Sequence, residues 1–143
     1  MDNNKYLGRC QGCVPYAAYP NNAFVHGVGN PRELSYLQWD VVELVNGKIA
    51  LRSDTGMYLG RCNRCYKREV YYDSAGVHVM EKYLANSPWA HWGLPCVGSN
   101  QITLKGDTGH YLSRCNNCIS HAAAPDSAFV HTDNPSASYA IWK

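Results

Sequence analysis

Six of the seven cysteines fall into three pairs of identical spacing: Cys10 and Cys13, Cys62 and Cys65, Cys115 and Cys118. Two thiolates so spaced can supply half of a tetrahedral zinc site, act as a redox couple, or close a short disulfide that stiffens a loop. A redox couple of the thioredoxin kind needs a βαβ setting, which the chain lacks. Zinc needs a second pair from another loop. Local structural use, as a disulfide or a buried turn, is therefore the leading reading, with no cofactor, and zinc at the pairs is the alternative. Cys96 has no counterpart and reads as a packed free thiol. An arginine precedes each pair: Arg9, Arg61 and Arg114. A guanidinium carries five donors in a fixed fork and suits hydroxyls or carboxylates, so an acidic ligand would fit these three. Further along come His26, His78 and His131, each ahead of a polar loop. Such an imidazole either packs against its neighbours or offers a directional hydrogen bond. Asn30 follows the first histidine, and Asp133 and Asn134 follow the third, where the polar set is fullest.

These residues recur because the chain is repetitive. Tyr6-Leu7-Gly8-Arg9-Cys10 returns as Tyr58-Leu59-Gly60-Arg61-Cys62 and as Tyr111-Leu112-Ser113-Arg114-Cys115. An aromatic run ends each unit at Trp39, Trp92 or Trp142, and these three read as core. Units of about 50 residues follow, covering about 1–47, 48–100 and 101–143 of one domain. Ile49 and Leu51, like Ile102 and Leu104, alternate with polar residues as in a half-buried strand. Asp54-Thr55-Gly56 and Asp107-Thr108-Gly109 then supply a hairpin turn. Tyr-Leu opens a second strand, the cysteine segment is a loop, the histidine ends a short third strand, and the aromatic run belongs to a fourth. Four strands in each of three units point to a closed all-β fold, a β-trefoil, with a solenoid or propeller as the alternative, for which the unit is long and the units are few. In that fold the three cysteine loops are expected at the periphery. The first unit has only Asn3-Asn4-Lys5 before Tyr6 and lacks its first strand, which leaves an edge through which two copies would pair.

The phrase from Gly47 to Leu59 resembles the fascin and hisactophilin type of β-trefoil. Asn22-Ala23-Phe24-Val25-His26, followed by Tyr36-Leu37-Gln38-Trp39-Asp40, resembles the short galactose-binding trefoil lectins of bivalves, and the unit is similar to the amaranthin-type agglutinin repeat. The bivalve resemblance implies that His26, His78 and His131 contact sugar, and that the partner is a glycan held in up to three shallow sites. Tyr16, Tyr19, Tyr66, Tyr71 and Tyr72 would be the stacking platforms, and Ala122-Ala123-Ala124 would leave the third site without one. The fascin resemblance implies an alternative, an actin- or protein-binding module. A targeting domain of a larger toxin is the third reading.

Composition narrows the field. A net charge of +2 with no basic run argues against a nucleic-acid partner. No apolar stretch is long enough for membrane insertion, and Met1 to Tyr6 is not a signal peptide. The expectation is a soluble chain, cytoplasmic or exported non-classically. No hydrolase, zincin or phosphate-loop motif occurs, and Asp-Thr-Gly reads as turn chemistry, so a catalytic role is not expected.

Overall fold

In the computed structural model, which describes residues 3–143, each repeat folds around one antiparallel hairpin. These are β1 (Tyr6–Gln11) with β2 (Asn21–Gly27), β5 (Tyr58–Asn63) with β6 (Asp73–Val79), and β9 (Tyr111–Asn116) with β10 (Asp126–Thr132). Their registers match: Leu7 lies opposite Val25, Leu59 opposite Val77 and Leu112 opposite Val130. The second strands touch one another pairwise, at Asn22 with Gly76, Ser127 with Phe24 and Phe129 with Ser74. A shorter hairpin, β3 (Asp40–Glu43) with β4 (Ile49–Arg52), joins the sheet where Arg52 meets Tyr58. A two-stranded ribbon, β7 (Cys96–Gly98) with β8 (Gln101–Ile102), stands apart. The fold is all-β, with the eight-stranded sheet curled into a half-barrel. The Cys96 thiol lies outside the described residues.

Two expectations change. The histidine-bearing strands are seven residues long rather than short. The aromatic runs themselves are not strands: Ser35–Leu37, Pro88–Ala90 and Ser138–Ala140 are single 3-10 turns, and in the first unit the expected fourth strand begins only after the run, as β3. Proline opens the second of these, where its missing N–H has no partner to lose. Each turn swings a tryptophan inward, and its Nε1–H donates to a leucine carbonyl of the same unit: Trp39 to Leu7 at 3.1 Å, Trp92 to Leu59 at 3.1 Å and Trp142 to Leu112 at 3.2 Å.

Trp92 and Trp142 are buried in the main core with Leu59, Leu104, Leu112 and Val130, whereas Trp39 is only partly buried. The cause lies beside it. Arg52 covers Tyr58 and Lys105 bridges to Tyr111, but among the described residues no strand precedes β1 to cover Tyr6. Tyr6 is accordingly 41% exposed, against 1% for Tyr58 and 9% for Tyr111. An apolar opening of about 400 Å³ lies there, bordered by Tyr6, Leu7, Trp39, Val41 and Trp142.

The cysteine loops are not peripheral. Ala18 N–H donates to Cys65 O at 2.9 Å, Val70 N–H to Cys118 O at 3.0 Å and Ala123 N–H to Cys13 O at 2.8 Å, a closed ring of backbone bonds from each unit to the next. Beneath the ring, Val14, Tyr66, Ile119, Phe24 and Phe129 form a second core. Tyr66 is 6% exposed and donates its hydroxyl to Asn22 Oδ1, so it is a core residue and not a platform. The loops converge because each is too short to bury its own apolar side chain without the other two.

Truncating Trp92 removes a fully buried side chain, so Trp92→Ala should cost about 3–5 kcal/mol in urea unfolding. Trp39→Ala should cost roughly half that, because its site is already open. Equal losses would refute the difference in packing.

Candidate functional site

Arg9, Arg61 and Arg114 occupy one position on the first strand of each hairpin. The forks of the first two face inward. Arg9 donates to both Asp54 oxygens, at 2.6 and 2.9 Å, and its third nitrogen donates to Asn21 at 3.0 Å. Arg61 repeats this with Asp107, at 2.7 and 2.9 Å, and with Asp73 at 2.9 Å. Arg114 donates to Asp126 at 3.1 Å. The expectation of forks open to ligand is therefore corrected for Arg9 and Arg61: carboxylates of the chain itself occupy them. Asp54 and Asp107 can receive them because Gly56 and Gly109, at φ +83° and +89°, turn the hairpin so that the preceding aspartate faces the neighbouring unit. The arginine forks hold both carboxyls below the usual carboxylate range.

The histidines lie at the joints between units. Tyr19 of the first unit stacks on His78 of the second, with ring centres 4.7 Å apart. Tyr71 of the second stacks on His131 of the third at 4.5 Å. The loops thus reach forward by one unit, which corrects the placement of the missing aromatic. Ala124 occupies the matching position on the third loop, and that loop bonds to the first unit through Ala123, so His26 is the histidine without a forward tyrosine. His26 instead stacks on Tyr36 of its own unit at 5.6 Å, and His131 has Tyr139 at 6.1 Å. Burial lowers all three imidazoles below their ordinary pKa, so they are neutral near pH 7.

The three joints differ. Gly60 lies under the His78 ring, where an added Cβ would meet His78 Cε1 at 3.2 Å and Trp89 Cδ1 at 3.3 Å. The third unit has Ser113 there, and its hydroxyl bonds to His131 Nδ1 at 2.9 Å. At His78, Nδ1 is buried without a hydrogen-bond partner. Beside His78 runs a groove of about 620 Å³, walled by Tyr19, Trp89, Tyr83 and Met80, with Asn63, Arg64 and Ser87 supplying polar atoms. Its far wall is the 3-10 segment Glu81–Asn86, built by the extra residues after Val79. The second unit therefore has the more developed cleft, although the third has the fuller set of polar residues in sequence. Trp89, at 36% exposure, stands where Tyr36 and Tyr139 stand in the other units, a match within the aromatic runs, whereas Tyr83, at 54%, has no counterpart and is marked only by the lengthened loop.

Two of the remaining candidates serve turns. Asn30 Oδ1 accepts the Arg32 N–H at 3.1 Å and Asn134 Oδ1 accepts the Ser136 N–H at 3.0 Å, local bonds that mimic a backbone turn and take these carbonyls from a ligand. Asp133 is exposed, two residues beyond His131. All six paired cysteines are disulfides, Cys10–Cys13, Cys62–Cys65 and Cys115–Cys118, each with Cα atoms 5.7 Å apart. In this state no thiolate is available to zinc, and no group of three or more metal-ligating side chains occurs among the described residues. No helix is long and apolar enough to cross a membrane among the described residues. No protein-family model matches the chain, and no curated protein does.

Because the folded-state pKa of Asp107 is lowered, the Arg61 fork stabilises the fold above the ordinary aspartate pKa of about 4. That contribution is lost as pH falls through about 4 toward the folded value. Asp107→Asn should cost about 1–3 kcal/mol at pH 7 in urea unfolding, and the gap from wild type should narrow at pH 3. A gap that does not change with pH would show that charge at this joint is immaterial.

Proposed function

We propose that this protein is a non-catalytic carbohydrate-binding protein of β-trefoil architecture, a lectin whose sites lie at the joints between units. The architecture is supported by three hairpins of matching register whose second strands contact one another pairwise. The observation that carries the functional reading is the groove at His78, where exposed aromatic faces stand beside directional polar atoms. A sugar presents an apolar C–H face and a rim of hydroxyls. Trp89 and Tyr83 suit the face, since each combines an apolar body with a polar edge. With Nδ1 buried, the His78 imidazole can offer a hydroxyl only Nε2, and Asn63 and Arg64 add partners at the rim. The Arg61 fork is occupied by Asp107 and Asp73, and the Arg64 guanidinium lies over the Tyr72 ring, so the cleft holds no open fork set for a carboxylate and favours a neutral sugar over an acidic one.

The joints at His26 and His131 are weaker versions of the same site, the first without a forward tyrosine and the third with Ser113 engaging its imidazole. Shallow sites on one rigid body act together through avidity. Three disulfides in so small a chain fit an oxidising, extracellular setting better than the reducing cytosol.

A glycan array should retain the protein on a restricted set of neutral glycans. Trp89→Ala and His78→Ala should each weaken that binding by about tenfold or more, equivalent to about 1.4 kcal/mol, with unchanged thermal unfolding for Trp89→Ala. Retention on no glycan, or binding indifferent to both substitutions, would overturn the reading. Co-sedimentation with actin filaments tests the protein-binding alternative directly.

A further inference from the structure

The ring of backbone bonds, at what we term the apex of the fold, surrounds a third and open cavity, of about 400 Å³, to which all three disulfide loops contribute. Its floor is apolar: Val14, Tyr66 and Ile119 stand at one position of the repeat and are 6–7% exposed. Its rim is of another kind. Tyr16, Arg68 and His121 share the position two residues further on, and Lys67 stands beside them.

Three observations separate this rim from an ordinary solvated surface. Tyr16 and His121 hold left-handed backbone conformations, at φ 59° and 62°, which histidine tolerates but a tyrosine rarely adopts. Glycine or asparagine would make the turn at Tyr16 with less strain, so a large ring is kept beside the cavity there against local preference. The charges are all of one sign. No carboxylate lines the cavity, and among the described residues the Arg68 guanidinium has no side-chain partner. Lys67 Nζ lies 5.0 Å from the centre of the Tyr16 ring, across the joint between the first and second loops. Glu69, next in the chain, is not part of the lining. Finally, the loops are braced before any ligand arrives, each by its own disulfide and by a backbone bond to the next, which lowers the ordering cost of binding.

We infer that the apex cavity is a second binding site, for an organic anion of monosaccharide size, whose carboxylate or phosphate is held by Arg68 and Lys67 while its apolar face rests on Tyr16 and the floor. Arg68 supplies the planar fork that matches either acid, and Lys67 acts as a point charge. The site uses none of the side chains of the His78 groove and does not depend on the lectin reading.

The test is calorimetric titration of the oxidised protein with glucuronate, glucose 6-phosphate, glucose and inorganic phosphate, with amide chemical shifts to locate binding. Glucuronate or glucose 6-phosphate should bind, and whichever is tighter identifies the acid. Shifts should appear at Tyr16 and His121 rather than at His78 and Trp89. Arg68→Ala and Lys67→Ala should each weaken binding about tenfold, with unchanged thermal unfolding because both side chains are exposed. The proposal falls if neither organic anion binds or if glucose binds as well. It falls equally if inorganic phosphate alone matches glucose 6-phosphate, or if neither substitution weakens binding.

Discussion

The Arg9–Asp54 and Arg61–Asp107 forks tie the first strand of one hairpin to the turn that opens the following unit. Each arginine also reaches its own second strand, at Asn21 or Asp73, so one side chain sets both the width of a hairpin and the position of its neighbour. The guanidiniums and carboxylates are largely withdrawn from solvent, with side-chain exposures of 16–18%. Leaving either partner alone would strand a partly buried charge, which is why such pairs constrain geometry more than they add stability. The same forward direction governs the backbone ring at the apex and the stacking of Tyr19 on His78 and Tyr71 on His131. No unit completes its own site. Each joint is made by two units, and each loop serves the unit after its own.

That direction explains which features were legible in the sequence. The hairpins were, because Tyr-Leu, the Asp-Thr-Gly turn and the inward tryptophan are local signals, carried by alternation and by turn chemistry. The contacts between units were not. Nothing near Tyr19 in the chain points to His78, and sequence proximity ties the three alanines at 122–124 to the third unit although the fold sets them against the first. The arginines looked available for a like reason: the aspartates that occupy them lie about a whole unit away. The aromatic runs give no sign of their 3-10 turns, because a turn of three residues has no period to detect, while the strand after the first run does show, at Asp40–Glu43.

Threefold repetition of the scaffold coexists with unequal sites because the constrained and unconstrained positions are separate. The residues that repeat faithfully are those under packing: Leu7, Leu59 and Leu112, or the three tryptophans with their carbonyl partners. The residues that vary lie where the scaffold is already closed. Gly60 against Ser113 changes what supports an imidazole without altering hairpin register, and the extra residues after Val79 raise a wall without disturbing Trp92. Even within the apex core, the large Tyr66 of the second unit accompanies Gly76 where the other units have Phe24 and Phe129. Volume is conserved around the axis rather than within a unit, as close packing requires.

The disulfides belong to this division of labour. Each closes a loop with only two intervening residues, so each removes little entropy from the unfolded chain, and their effect on global stability through that route is small. Their consequence is local. The loop from Cys13 to Tyr19 carries the apex rim through Tyr16, the ring bond through Ala18 and the His78 platform through Tyr19, with no ladder bonds of its own to hold it. A short covalent clamp at its base fixes where all three begin. The apex cavity and the His78 groove are therefore two faces of one braced loop, and its shape sets how the side chains of one unit meet those of the next.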